Sequence, residues 1–317
     1  MNEEVLIKLG RWVRPWTIKD PFTNVYGLSR TLLAVATACT LAFNSTEVLF
    51  TPAAGINEVP KCGPGLLSAS LFCAVSPAHL EIMRWLCIAV LLVVASGWRP
   101  RLTAILHLCV AYSFFISVTV FDGGDQITLV LTVLLLPVAL LDGRRWHWAN
   151  IPNNDGARPL AYLVAWSALY MVRVQVAAVY FVSGIAKLGQ AEWANGTAMY
   201  YWLLTFGRAP RWAVAFMSHP IFVVAATWGA LVLEVALAAA ILLPRRRTRP
   251  LLYIGIFFHF LIALFFGLWS FSMAMTAALI MYLRPVDEPL PLGTFPNRED
   301  VGEKSAVTDA STVGSAS

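Results

Sequence analysis

Eight runs of apolar residues recur along this chain, each near the ~20 needed to cross the hydrocarbon core of a bilayer. They fall at about 26–46, 79–98, 102–120, 126–142, 160–188, 220–243, 250–268 and 269–284. Hydrocarbon offers backbone N–H and C=O groups no partner, so segments of this kind must satisfy themselves as helices. The pattern therefore predicts an all-α fold, a polytopic transmembrane helix bundle of about eight spans. Only "GLWS" separates the last two runs, which leaves a seven-span or re-entrant corner open. Composition points the same way: 58% of the 317 residues are hydrophobic and 13% charged, where soluble domains run nearer 45–50% and about 25%. Pro100, Pro159, Pro220, Pro250 and Pro285 sit at the edges of the runs, where a missing N–H costs least, and Pro137 inside the fourth is expected to kink it.

The basic residues fall in short clusters beside the spans. Lys8, Arg11, Arg14 and Lys19 precede the first; Arg99 and Arg101 join the second and third; Arg144, Arg145 and Arg158 join the fourth and fifth; "RRRTR" at 245–249 joins the sixth and seventh. If the spans alternate, the other side holds only Lys61, Arg208, Arg211 and Lys187. The positive-inside rule then puts both termini in the cytoplasm. Such clusters are topology signals, and no basic stripe or nucleic-acid-binding fold accompanies the net charge of +5. The N-terminus has no h-region or cleavage site, so no removable signal peptide is expected. The organisation expected is a cytoplasmic segment over 1–25, a membrane domain over 26–285 and a disordered cytoplasmic tail over 286–317, small and polar at its end. Residues 189–219, rich in Trp and Tyr, suit a short interfacial helix on the outer leaflet.

Ionisable groups inside a bilayer cost ~2.5–3.5 kcal/mol or more at a helix centre, so each requires a partner or a purpose. Arg173 and Glu234 fall near the middles of adjacent spans and are expected to form a structural ion pair. Asp122 and Asp125, in "FDGGDQI", stand at an outer corner where one apolar run passes directly into the next, and the two glycines bring the carboxylates near one point. Two carboxylates alone define no metal site. Lys187 closes the fifth span at the same outer end. It either snorkels to the headgroups or, enclosed by the bundle, serves as a general base, an imine-forming nucleophile or an anion anchor, with Asp122 or Asp125 as a partner. His259 lies about 14 Å along the seventh span from Pro250 and joins these as a candidate catalytic group. His107 and His147 fall toward the cytoplasmic ends, away from it. Cys62 and Cys73 share one outer loop, where an oxidising compartment favours a disulfide.

Several stretches together carry a resemblance: "SLFCAVSP" with the cysteine before it, "SGWRPRLTAILH", "FDGGDQI" followed by "LLLPVALLDGRRWHW", "RVQVAAVYFVSGIAKLGQAEWANGTAMYYWL" and "FHFLIALFFGLWSFSMAM". Over roughly residues 15–285 the chain resembles the bacterial sporulation-delaying protein B (SdpB) family. That family belongs to the HTTM group, named from a transmembrane domain shared with vitamin K-dependent gamma-carboxylase. The resemblance implies a bacterial cytoplasmic membrane protein that helps to make an exported antimicrobial peptide toxin, with an SdpA-like small partner and a secreted toxin precursor. Lys187 is the position matching the carboxylase's base lysine. No counterpart of the lumenal domain that follows in the carboxylase is expected here, so the chemical step, enzyme status and any cofactor stay open. A carboxylase-like enzyme using a lipid-soluble hydroquinone is one alternative reading, and a transporter or immunity protein for the toxin is another.

Overall fold

The computed structural model describes residues 14, 16–53, 55, 59–149, 158–205 and 209–291. The expected N-terminal segment up to residue 13, the tail from 292 and Arg208 lie outside the described residues. Eight apolar helices organise the described chain: α1 Asn24–Phe43, α2 Leu80–Ser96, α3 Pro100–Ser117, α4 Gly123–Leu141, α5 Pro159–Leu188, α6 Pro220–Ala239, α7 Arg249–Phe266 and α8 Trp269–Leu283.

Local chemistry sets these boundaries. Thr23 caps α1 by accepting the N–H of Val25, and proline stands in the first turn of α3, α5, α6 and α7. Gly97 and Gly267 close α2 and α7 in the left-handed region. α4 runs as one continuous helix through Pro137.

Seven helices are long and apolar enough to cross a membrane by length and composition, and α8, at 15 residues, is shorter. At 1.5 Å per residue it spans about 22 Å, less than the ~30 Å hydrocarbon core. It is also the most enclosed helix. Ala274, Ala277, Ala278, Leu279, Met281, Tyr282 and Leu283 are fully buried, and α8 packs against α1, α4, α5 and α7. Tails of lipid are as apolar as leucine, so helices associate through close packing and small residues rather than a hydrophobic drive. Ala274 and Ala278, one turn apart, let α8 approach its neighbours in this way. Large apolar side chains such as Val232, Phe257 and Phe181 point outward instead, as a lipid-facing surface requires.

Two expectations are corrected. Residues 286–291, read as the start of an unfolded tail, are ordered: Val286 is fully buried, the Thr23 hydroxyl donates to its carbonyl at 2.5 Å, and the Asn24 amide bonds the Leu290 backbone in both directions, at 2.9 and 2.7 Å. In place of a single interfacial helix, residues between α5 and α6 form three short ones, Ala191–Ala194, Ala198–Thr205 and Arg211–Met217. They fold back along α6 and α7. Trp193 and Ala198 pack on Ala230 and Phe258, and Leu203, Ala213 and Met217 pack near Ala226 and Phe265.

Candidate functional site

Tyr180, Ser183 and Lys187 repeat at i, i+3 and i+7 and so share one face of α5. That face meets α6 at Glu234. Lys187 Nζ donates to both carboxylate oxygens of Glu234, each at 2.6 Å, and to Ser183 Oγ at 2.6 Å. All three ammonium protons are thereby bonded, and the Trp193 ring covers the charge from 5.1 Å. The side chains are 18% and 9% exposed. Glu234 lies fourteen residues into α6, about 21 Å from its start. The end of α5 is therefore level with a point well past the middle of α6, with the three short helices occupying the depth beyond it. The lysine closes its helix inside the bundle instead of snorkelling to the headgroups.

The expected Arg173–Glu234 pair is replaced by this one. Arg173 lies fourteen residues, about four turns, away along α5, buried, with its guanidinium 5.6 Å over the Tyr170 ring. Two helices of known length leave their relative slide undetermined, and here the slide puts Lys187 at the carboxylate.

Two turns deeper than Lys187, Tyr180 Oη and His259 Nε2 are hydrogen-bonded at 2.9 Å, and both residues are buried. His259 Nδ1 has no hydrogen-bond partner among the described residues. The ring sits edge-on to Phe258 and Phe271.

Two adjoining cavities put these groups in one space. The first, about 450 Å³, is lined by Lys187, Glu234, Ser183, Asp122 and Trp193. The second, about 480 Å³, is lined by Tyr180, His259, Gln126 and Gln175. Ser183, Glu234 and Phe271 belong to both walls, and the remaining lining is largely aromatic and aliphatic. A concave, largely apolar space with a few convergent polar groups is the usual form of a small-molecule or peptide-fragment site.

Asp122 faces the first cavity, but neither acid bonds Lys187. The Asp122 carboxylate accepts the N–H groups of Gly124 and Asp125 at 2.7 and 3.2 Å, and Asp125 accepts the N–H of Asp122 at 3.1 Å. This reciprocal capping box spends the acids on the unpaired donors at the start of α4. It also fixes Asp122 beside the cavity. Gly124 makes the corner fit, since a Cβ there would stand 2.6 Å from Phe271 Cα.

Cys62 and Cys73 are disulfide-bonded. Their loop is tied to the α3–α4 end of the bundle by Lys61 N–H to Ser117 O, 3.0 Å, and Thr119 N–H to Leu49 O, 3.1 Å. His107 and His147 lie at the opposite end, near Arg30. Among the described residues no three His, Cys, Asp or Glu side chains converge as a metal site.

Tyr180 and Ser183 were not singled out from sequence, though their spacing from Lys187 on one helical face was a readable signal. The Glu234 partnership had no such signal.

Fold and site together define a multi-pass integral membrane protein whose helices line a largely apolar cavity with an ion pair in its wall. The HTTM domain matches residues 63–286, and the chain belongs to that family. It is 39% identical over 292 residues to the uncharacterized protein YitO of Bacillus subtilis (strain 168), covering 90% of this chain and 93% of the relative. It is 37% identical over 278 residues to the sporulation-delaying protein SdpB of the same organism, covering 86% of this chain and 85% of the relative. No solved structure matches. Lys187, Glu234, Ser183, Tyr180, His259 and Asp122 all lie within the HTTM span.

Proposed function

We propose that this protein is a maturation factor of the bacterial cytoplasmic membrane for an exported antimicrobial peptide of the sporulation-delaying type. It works with an SdpA-like small partner on a secreted precursor. The observation that carries the reading is the Lys187–Glu234 pair, enclosed at the shared wall of two cavities in a chain similar over most of its length to SdpB.

A segment of the precursor enters the cavity bearing Asp122 and Trp193. Lys187, already bonded to Glu234 and Ser183, anchors a carbonyl or carboxylate of the peptide, or exchanges a proton with it while the carboxylate balances the charge. Tyr180 and His259 position the apolar part of the guest below. Two features support an outward-facing site. The basic clusters lie at the opposite ends of the helices. The Cys62–Cys73 disulfide, at the Lys187 end, belongs in an oxidising compartment.

The test is deletion of the protein from cells that make the peptide, followed by mass spectrometry of the medium. The expected result is loss of the mature peptide, persistence of the precursor and unchanged sensitivity to added toxin. Increased sensitivity with normal maturation would identify an immunity protein instead. A second reading, a carboxylase-like enzyme using a lipid-soluble hydroquinone, draws on the apolar lining of the inner cavity; a mature peptide carrying an added carbon dioxide mass would favour it.

A further inference from the structure

At the helix ends remote from Lys187, four arginines surround a separate cavity of about 300 Å³. Arg99 comes from the turn between α2 and α3, Arg101 from the first turn of α3, and Arg144 and Arg145 from the turn after α4. The two turns are zipped together: Arg99 N–H donates to Arg145 O at 2.8 Å, and His147 N–H to Gly97 O at 3.0 Å. Gly97 is required for this contact, because its φ is 84° and a Cβ there would stand 2.5 Å from the His147 ring. Charges from distant stretches of chain are thus brought to one place by backbone bonding.

The four guanidiniums are not equivalent. Arg144 is buried and bonded through Nε and Nη2 to Asp142, at 2.9 and 2.8 Å, so its charge is balanced and it forms a stiff floor. The other three are exposed, and among the described residues none forms an ion pair with a carboxylate. Arg99 lies 5.8 Å over the Trp98 ring, and Arg101 reaches only the Leu141 carbonyl at 3.3 Å. Three uncompensated cations around one hollow repel each other, and the first turn of α3 adds the positive end of its dipole. An anion relieves both.

The surroundings select the kind of anion. Leu102 lines the cavity itself, and Leu102, Ile105 and Leu106 continue from it as a row of exposed apolar side chains along α3, 53%, 51% and 44% exposed. On a membrane-spanning helix such a row faces acyl chains. We propose that this cavity binds the phosphodiester headgroup of an anionic phospholipid, with the phosphate among Arg99, Arg101 and Arg145 and the acyl chains along α3. Arginines that act solely as topology signals need no cavity, no zipped turns and no neutralised floor.

The experiment uses the full-length protein in uncharged detergent. Phosphatidylglycerol and phosphatidylcholine with the same acyl chains are titrated in, and bound lipid is read by native mass spectrometry. Tight binding of phosphatidylglycerol alone is expected, at about fivefold per arginine. The triple variant Arg99→Gln/Arg101→Gln/Arg145→Gln should bind it roughly a hundredfold more weakly while unfolding at the same temperature in lipid-free detergent. If the triple variant fails to fold, Arg101→Gln alone is read for its fivefold loss. Equal binding of the two lipids, or undiminished phosphatidylglycerol binding by the variant, overturns the proposal. Displacement by equimolar inorganic phosphate assigns a soluble ligand and overturns it as well.

Discussion

Lys187 Nζ stands 2.6 Å from each carboxylate oxygen of Glu234, joining the last turn of α5 to a residue deep within α6. The contact fixes the slide of one helix against the other. It also holds a bonded charge pair against a hollow large enough for a guest.

Breaking such a pair strands a buried charge, which costs about 3–5 kcal/mol, whereas replacing both members with neutral groups is often nearly neutral. Lys187→Met is therefore expected to destabilise the protein strongly, and Lys187→Met/Glu234→Gln to recover most of the loss. A double-mutant cycle of thermal unfolding in detergent measures this coupling. Glu234→Ala should lose folded protein for the same reason, through Lys187 and not through Arg173.

Tyr180→Phe removes one hydroxyl and leaves the ring volume unchanged. The hydrogen bond to His259 is lost, at a net cost of about 1 kcal/mol. Folding should survive, and peptide maturation should fall if the Tyr180–His259 pair positions the guest. Expression level and secreted peptide, measured together, separate the two effects.

Gly124→Ala places a methyl group against backbone, 2.6 Å from Phe271 Cα, where nothing can rotate aside. A loss of about 1–3 kcal/mol is expected, by displacement of α8 from the start of α4. Gly123→Ala meets only the Phe271 side chain at 3.5 Å and should be tolerated. Comparing the two unfolding temperatures checks the close approach.

Burial, reinforced by the Arg30 and Arg144 guanidiniums, lowers His147 from 6.5 to about 2. Between those values the unfolded chain binds a proton that the folded one does not. Its contribution to stability is thus complete above pH 6.5 and lost as the pH falls, by up to about 1.4 kcal/mol per pH unit. His147→Gln should flatten the pH dependence of unfolding below 6.5 relative to the parent protein.

Helix positions were legible in the sequence because prolines, glycines and apolar run lengths act locally. The one-face spacing of Tyr180, Ser183 and Lys187 was equally local. What could not be read was depth. Lys187 ends its own run, so it reads as an end residue, yet the short helices Ala191–Ala194, Ala198–Thr205 and Arg211–Met217 fold back along α6 and leave it level with Glu234. Arg173 and Glu234 looked like partners because both fall mid-span, and mid-span positions coincide only when helices are in register. Asp122 and Asp125 stand together at a corner, but they cap the start of α4 and do not bond Lys187. The corner before the short α8 is the least certain boundary in the sequence, and α8 is the helix the bundle is built around.

The most direct measurement follows the secreted peptide in cells carrying Lys187→Met/Glu234→Gln, whose product should be inserted and folded. The expected result is normal protein level with mature peptide reduced at least about a hundredfold. Mature peptide at the parental level would show that the enclosed pair only braces α5 against α6.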